Sequence, residues 1–187
     1  MEFFEVIRRR RSIRRFQNKE VPEELIEKIL EAAFYSPSSR NKKPWHFVVV
    51  KDRDLIKRLA KTRPAVEFLE TAPLAIVVCG DERISNAWVY DCSIAAEHIQ
   101  LAATALGLGA CWGHIHERMH NDEKTAEDYV RELLGIPKHI RILCIIGIGY
   151  PAEEKPEHRK DEIMWERVHL NRFGNRVEQE GRDLLGG

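Results

Sequence analysis

The run ILCIIGI at residues 142–148 is the most strand-like stretch of this sequence. A short, uninterrupted series of β-branched and apolar residues is typical of a strand that is buried on both faces of a sheet. The glycine, tyrosine and proline at 149–151 then turn the chain out of that sheet. The runs LAIVVC at 74–79 and HFVVV at 46–50 predict two neighbouring strands.

Helices are predicted on both sides of these strands in the sequence. A short amphipathic helix covers 2–9, and Pro22 followed by two glutamates marks the start of a second. Asp52 can cap a short third helix, and a fifth covers 126–134. Small and apolar residues throughout 87–106 predict a central buried helix that ends at Gly107. Because helices outweigh strands, we expect a three-layer α/β/α sandwich of the α+β class.

The composition is that of one globular domain spanning residues 1–187. Its 30 basic and 30 acidic residues cancel, so the chain has no general field for nucleic acid or an anionic membrane. No apolar run approaches the roughly 20 residues that span a bilayer, which makes the cytoplasm the expected location. The stretch 152–187 begins with a strongly polar segment and is expected to form a C-terminal arm that lies on a partner subunit.

Cysteines and histidines offer two further possibilities for chemistry. Four widely spaced cysteines lie in or beside apolar segments and are expected to be buried free thiols, with Cys111 in a glycine-rich turn. Three histidines with Glu117 could be proposed as a metal site, but they do not form the closed ligand set of a structural zinc site, so no metal is expected. The cysteines are Cys79, Cys92, Cys111 and Cys144, and the histidines are His114, His116 and His120.

The run RRRRSIRR at 8–15 is the strongest local charge signal. Arginine presents a planar fork of donors that matches phosphate oxygens, so a phosphate site is one interpretation. A solvated basic helix end and a nucleic-acid patch are the alternatives, and the latter is disfavoured by zero net charge and the lack of interleaved aromatic residues. The loop SPSSRN at 36–41 is by itself a turn, while Gly107, Gly109 and Gly113 either allow close approach to a flat ligand or cap a helix.

The order of four motifs is more specific than any one of them. These are RRSIRRF at 10–16, SPSSRNKKPWHFVVV at 36–50, ALGLGACW at 105–112 and IIGIGYP at 145–151, followed by Arg159. In this order they resemble the FMN-dependent nitroreductase family over nearly the whole chain. The resemblance implies a central, mostly antiparallel sheet wrapped by helices, in an intertwined homodimer whose two active sites lie at the subunit interface.

The resemblance also implies which residues bind the cofactor FMN. Arg10, Arg11 and Ser12, joined by Arg159, would hold its phosphate and ribityl end, and Arg14 would face the pyrimidine edge of the flavin. Two further groups complete the expected site. The loop residues Pro37, Ser38, Ser39 and Asn41 of the other subunit would lie against the ring, and the backbone of Ala110, Cys111 and Trp112 would lie beside flavin N5.

The implied reaction is a ping-pong transfer of hydride from NADH or NADPH through FMN to a small electron-poor acceptor such as a nitroaromatic or a quinone. No catalytic acid or base is required for the hydride transfer itself. Lys42 and Lys43 precede Pro44, so that edge of the site is expected to favour an anionic group. The alternatives are dehalogenation, flavin fragmentation or azoline oxidation on the same scaffold, a non-catalytic flavin-binding or redox-sensing protein, and an RNA-binding protein led by the arginine run.

Overall fold

Four strands form one antiparallel sheet in the computed structural model, which describes residues 1–175. In chain order the strands are β1 (Trp45–Val50), β2 (Leu74–Asp81), β3 (Gly109–His114) and β4 (Ile140–Gly149). Their spatial order is β1-β2-β4-β3, so that β1 and β3 are the two edges. The α-helices of the described residues are α1 (Phe3–Arg9), α2 (Glu23–Phe34), α3 (Arg53–Ala60), α4 (Trp88–Ala105) and α5 (Ala126–Leu134). Short 3-10 helices cover Ser39–Asn41, Pro64–Thr71, Lys160–Glu162 and Trp165–Arg167.

The sheet separates two apolar cores. Along β2, the side chains of Leu74, Ile76 and Val78 pack with α2 and α4 on one face. Those of Ala75 and Val77 pack with α3, Pro64–Thr71 and α5 on the other face, as the two-residue period of a strand requires. Every residue of β2 is buried. The predicted three-layer sandwich of the α+β class is therefore confirmed, with a sheet that is wholly antiparallel within the described residues.

The predicted helix boundaries are confirmed to within a few residues. The Asp52 carboxylate caps α3 by accepting the N–H of Leu55 at 2.8 Å. Gly107 follows α4 with φ of +77°, a left-handed conformation that costs glycine nothing and ends the helix. The prediction of helix 126–134 matches α5.

The prediction of a central buried helix over 87–106 holds for only one face of α4. The face of α4 that carries Ala95, Ile99 and Ala103 is fully buried, whereas Tyr90 is 73% exposed and Ile94 is 39% exposed. Small apolar residues on both faces made the two sides indistinguishable in the sequence. An apolar strip of α4 is left open to solvent in the single chain.

The described residues fall into two compact units, one of Met1–Pro156 and one that begins at Glu157. In the second unit, residues 157–175 contain short 3-10 helices and turns but no α-helix or extended strand, and most of their side chains are exposed. No helix within residues 1–175 is both long enough and apolar enough to cross a membrane.

Candidate active site

The arginine segment, residues 10–15, lies along the outer edge of β3. The N–H of Ile13 donates to the carbonyl of Ala110 at 3.0 Å, and Ser12 forms a parallel bridge with the same residue. On its other side the segment is held by the chain that leaves β4, where the N–H of Ala152 donates to the carbonyl of Arg15 at 2.8 Å. The segment is therefore fixed as an extended strip between β3 and residues 150–153.

Three acceptors fix parts of the arginine segment. Glu97 of α4 lies 3.7 Å from Nε of Arg10, and Arg11 donates to the carbonyl of Pro156. The Glu153 carboxylate accepts the N–H of Arg14 at 2.6 Å, which lowers the pKa of that carboxyl. Since this bond uses the Arg14 backbone, the guanidinium stays available to a ligand.

Cys111 lies in strand β3. The sequence-based prediction that it lies in a glycine-rich turn is wrong. Burial raises the pKa of its thiol, and the charge of Arg14 and a hydrogen bond with Ser12 offset part of that rise. The thiol is thus near both residues but is protonated at neutral pH, which disfavours thiol catalysis. The other three cysteines are also free and buried, and burial raises the pKa of Cys79 and of Cys92 to about 12.

The open edge of β3 offers backbone donors beside the arginine segment. Ala110 directs its carbonyl away from β4, toward Ile13. In an antiparallel strand, alternate residues turn both backbone groups to the same side, so the N–H groups of Trp112 and His114 also face this edge. Within residues 1–175 neither N–H has a hydrogen-bond partner. The structure thus brings Arg10, Arg11, Ser12 and Arg14 together with Ala110, Cys111 and Trp112.

The glycines of β3 make room for the protein's own core. A Cβ on Gly109 would lie 2.8 Å from the side chain of Ile13, and one on Gly113 would lie 2.6 Å from Val66. Gly109 and Gly113 therefore leave space for neighbouring side chains of the protein, and not for the flat ligand that was one interpretation of the sequence. Gly109 in particular sets how closely the arginine segment approaches β3.

The loop at 36–41 lies elsewhere in the chain, before β1 and beside the first turn of α4. The N–H of Ser39 donates to the buried carboxylate of Asp91 at 2.7 Å, and Oγ of Ser38 accepts the N–H of Lys43 at 2.9 Å. Arg40 has a left-handed backbone, with φ of +52°, and so has the next residue, Asn41. Oγ of Ser36 is buried without a hydrogen-bond partner among the described residues. Pro37 is exposed.

The loop adjoins the first turn of α4, whereas β3 begins after the other end of that helix. Ser39 is bound at the first turn of α4, whereas β3 begins four residues after the helix ends. The 18 residues of α4 rise about 27 Å. The loop precedes β1, and the arginine segment flanks β3. These two strands are the opposite edges of the sheet. In one chain the loop therefore adjoins one sheet edge and the arginine segment adjoins the other.

Arg159 belongs to the second unit, where it precedes the 3-10 helix Lys160–Glu162. Its guanidinium pairs with the carboxylate of Asp161. Its predicted contact with a cofactor phosphate stays a prediction.

The three histidines at the end of β3 have separate surroundings. His116 lies 3.1 Å from a carboxylate oxygen of Glu127, a buried residue that also accepts from Arg141 at 3.0 Å. His120 contacts the carbonyl of Thr62 at 2.7 Å. Burial, with nearby arginine charge, lowers the pKa of His114, whose ring stacks on Trp112. Among residues 1–175 no group of three or more histidine, cysteine or carboxylate side chains could hold a metal ion.

Three acidic residues of this region were missed by sequence reasoning. Asp91 anchors the loop, Glu97 contacts Arg10, and Glu153 holds the backbone of Arg14. Each is far in sequence from the residue it binds, and no motif marks it. The one available signal was an aspartate within the otherwise apolar start of α4.

These features define an α+β protein with an arginine-rich segment beside an open strand edge. The chain belongs to the nitroreductase family, whose model matches residues 7–63 and 60–150. The nitroreductase-like fold expected from the sequence motifs is thereby confirmed.

Individual relatives match over most of their length. A protein of Methanothermobacter thermautotrophicus, provisionally named NADH dehydrogenase/NAD(P)H nitroreductase, is 42% identical over 92% of this chain and 88% of its own. The solved structure of an FMN-dependent nitroreductase from Clostridium difficile is 41% identical, with a TM-score of 0.88 over 90% of this chain and 98% of that chain. Mouse iodotyrosine deiodinase 1 is 28% identical over 87% of this chain and 68% of its own.

Proposed function

We propose that this protein is an FMN-dependent oxidoreductase that takes electrons from NADH or NADPH and delivers them to a small electron-poor acceptor, such as a nitroaromatic or a quinone. The observation that carries this proposal is the arginine segment along the open edge of β3. It combines cations for a phosphate with free backbone donors for the edge of a flat ring. The family membership and the FMN-dependent relative support the same cofactor.

The residues at this edge fit FMN. A phosphate dianion needs several fixed cations and hydroxyl donors, which Arg10, Arg11 and Ser12 supply from consecutive positions. Arg14 would place its charge near the pyrimidine edge of the flavin, where reduction leaves negative charge. The outward N–H of Trp112 would lie beside N5, together with the backbone of Ala110 and Cys111. Arg159 would join the phosphate contacts from the C-terminal segment.

Bound FMN would supply hydride transfer, in which NAD(P)H is oxidised to NAD(P)⁺ and, with one proton from solvent, a quinone is reduced to its hydroquinone. The residues named above bind and orient the reactants, and none of them has to act as a general acid or base for the hydride itself. Since donor and acceptor would use the same open ring face, they would bind in turn.

The complete site would be built by two copies of the chain. The loop residues Pro37, Ser38, Ser39 and Asn41 precede β1, which is the opposite sheet edge from β3 in their own chain, so a second copy would supply them to the ring. Exposed apolar side chains support a homodimer, since patches of this kind mark association surfaces. They are Phe3, Phe4 and Ile7 of α1, Phe34 and Tyr35 at the end of α2, and Tyr90 and Ile94 of α4.

The C-terminal segment fits an arm that contacts the partner. Residues 157–175 expose Ile163, Met164, Leu170 and Phe173, apolar side chains that a partner surface would cover. We propose one domain with this arm, extending over 152–187. Its last twelve residues lie outside the described part of the chain. We also propose the cytoplasm as its location, because four free thiols suit a reducing compartment.

Reductive dehalogenation is the second candidate, favoured by the similarity to iodotyrosine deiodinase 1. Turnover of a halotyrosine with release of halide, at a rate above that for quinones, would favour this reaction over the reduction of nitro groups and quinones.

The test is an absorbance spectrum of protein reconstituted with FMN, followed by anaerobic addition of NADH or NADPH. We expect flavin bands that bleach on addition and turnover when a quinone or nitroaromatic is present. Arg11→Ala should weaken FMN binding at least tenfold, whereas Arg58→Ala on α3 serves as a charge-matched control. A wild-type protein that binds no FMN would overturn the proposal.

A further inference from the structure

The chain around the loop has an excess of positive charge. Residues 32–51 contain four lysines and arginines and no aspartate or glutamate, in a protein whose 30 basic and 30 acidic residues otherwise balance. Three of the four cations, Arg40, Lys42 and Lys43, fall within four positions and are exposed. In the part of the chain that the structure describes, none of the three forms a salt bridge. Lys51, the fourth, pairs with Glu23.

The loop backbone is fixed, so that these charges keep their place. Asp91 binds the N–H of Ser39, and Ser38 binds that of Lys43, on either side of the bend. Arg40 and Lys43 both have positive φ, of +52° and +49°, which non-glycine residues adopt only when surrounding contacts hold them there. The cations are thus presented on a preformed bend.

The FMN phosphate is an unsuitable partner for these charges. In the proposed site the arginine segment already provides Arg10, Arg11 and Arg14 for the cofactor, while the loop faces the ring from the other chain. A charged group that meets the loop would therefore belong to the molecule that stacks on the ring.

We propose that Arg40, Lys42 and Lys43 select second substrates that carry an anionic group, either a carboxylate or a phosphate. This rests on the proposed function, which places the loop against the flavin ring. The anion could belong to the acceptor or be the 2′-phosphate of NADPH. Exposed charges act over several ångströms and are screened by salt, so the selection is a preference of about fivefold to tenfold that weakens as ionic strength rises.

The test compares matched pairs of substrates on the FMN-loaded enzyme. The acceptor arm measures kcat/KM for 4-nitrobenzoate relative to the neutral 4-nitrobenzyl alcohol, and the donor arm measures kcat/KM for NADPH relative to NADH. A third readout, independent of turnover, is the Kd of 4-nitrobenzoate for the oxidised enzyme from its perturbation of the flavin absorbance. The variant is Lys42→Gln/Lys43→Gln, with Arg40→Gln added in a second variant.

The control Lys57→Gln/Lys61→Gln removes the same charge from α3 and its C-terminal cap, which pack on the opposite face of the sheet from α4. We expect the loop variant, and not the control, to lower one anionic-to-neutral ratio about fivefold. A fall in the acceptor ratio, with a weaker Kd, assigns the anion to the acceptor, and a fall in the donor ratio assigns it to NADPH. If FMN binds and neutral substrates turn over but neither ratio moves, this inference is wrong and the proposed function stands. If FMN does not bind, both fail.

Discussion

Asp91 connects the loop to the helix scaffold through a single side chain. It is 3% exposed, and its two carboxylate oxygens accept from the backbone of Ser39 and from the hydroxyl of Ser85, at 2.7 and 3.1 Å. A buried carboxylate with this set of donors fixes the loop relative to α4. In the proposed site Asp91 would position the loop and would not itself take part in the reaction.

Replacing Asp91 should separate positioning from bulk stability. Asp91→Ala leaves the buried hydroxyl of Ser85 and the N–H of Ser39 without this acceptor, and should lower the free energy of unfolding by about 1–3 kcal/mol. It should also raise the KM for the acceptor, because the loop loses its anchor. Asp91→Asn keeps an acceptor for Ser39 and should recover most of both effects. Thermal unfolding and steady-state kinetics measure the two quantities.

Ser85→Ala is the matched control for Asp91. It removes the hydroxyl that binds the same carboxylate, but it leaves the bond to Ser39 intact. We expect it to lower the melting temperature without a change in KM. A KM that is equally raised by Ser85→Ala would show that general loosening of α4, and not the loop, is responsible.

The residues that sequence could predict are those with a chemical signature of their own. Consecutive arginines followed by Ser12 favour an anion site, and their placement along an open strand edge is consistent with that interpretation. Asp91 gave no such signature, since its role depends on Ser39, 52 positions away. Contacts of that range follow from the packing of α4 and not from local pattern.

At the level of elements, β3 is the clearest difference between sequence and structure. Two glycines in six residues lower the strand propensity of GACWGH, so a turn was the expected conformation. In the folded chain, pairing with β4 makes this segment a strand, and Ile13 and Val66 occupy the space that side chains at its two glycines would need. β2 and β4 were predictable because both contain long runs of buried apolar residues, Leu74–Cys79 and Ile142–Ile146, whereas β3 depends on what lies next to it.

Gly109 offers a test of how β3 sets the arginine segment. An added Cβ would lie 2.8 Å from Ile13, whose neighbours are Ser12 and Arg14, so the segment must move. We expect Gly109→Ala to lower the free energy of unfolding by about 1–3 kcal/mol and to weaken FMN binding at least tenfold. Fluorescence titration with FMN and thermal unfolding measure the two effects.

Gly107 is the control, two residues earlier in the chain. Its Cβ would meet nothing within 4 Å, but its φ of +77° disfavours alanine. Gly107→Ala should therefore cost about 1 kcal/mol of stability through backbone strain and leave the Kd for FMN within about twofold. Equal losses of FMN affinity in both variants would contradict a specific role for the approach of Ile13 to β3.

At the level of the whole molecule, the three-layer architecture followed from periodicity, but the completeness of the site did not. Apolar runs and helix caps are local properties, and they located every α-helix and three of the four strands of the described residues. Whether one chain contains a complete site depends on where the folded chain places its loop and its arginine segment. The loop beside the first turn of α4 and the arginine segment on the far sheet edge become separate only in three dimensions.

A shared site makes a prediction that a single-chain site does not. Arg11→Ala/Ser12→Ala disables the arginine segment, and Ser39→Pro disables the loop by removing the N–H that Asp91 binds. Each variant alone should be inactive with a quinone. When the two are co-expressed with different affinity tags, a heterodimer joins the intact segment of one chain to the intact loop of the other, so that one of its two sites is wild type. Random pairing makes half of the dimers mixed, so about a quarter of the wild-type activity should return.

The control for complementation is co-expression of Arg11→Ala with Ser12→Ala, in which both chains are defective in the same segment. No mixed dimer then contains an intact site, and activity should stay at the level of the separate variants. Activity that returns only in the first combination, and only in protein carrying both tags, would require residues of two chains in one site. If neither combination recovers activity while both variants remain folded and dimeric, the loop must serve the chain it belongs to. In that case α4, which contacts Ser39 through Asp91 and Arg10 through Glu97, would have to bring both to one ligand.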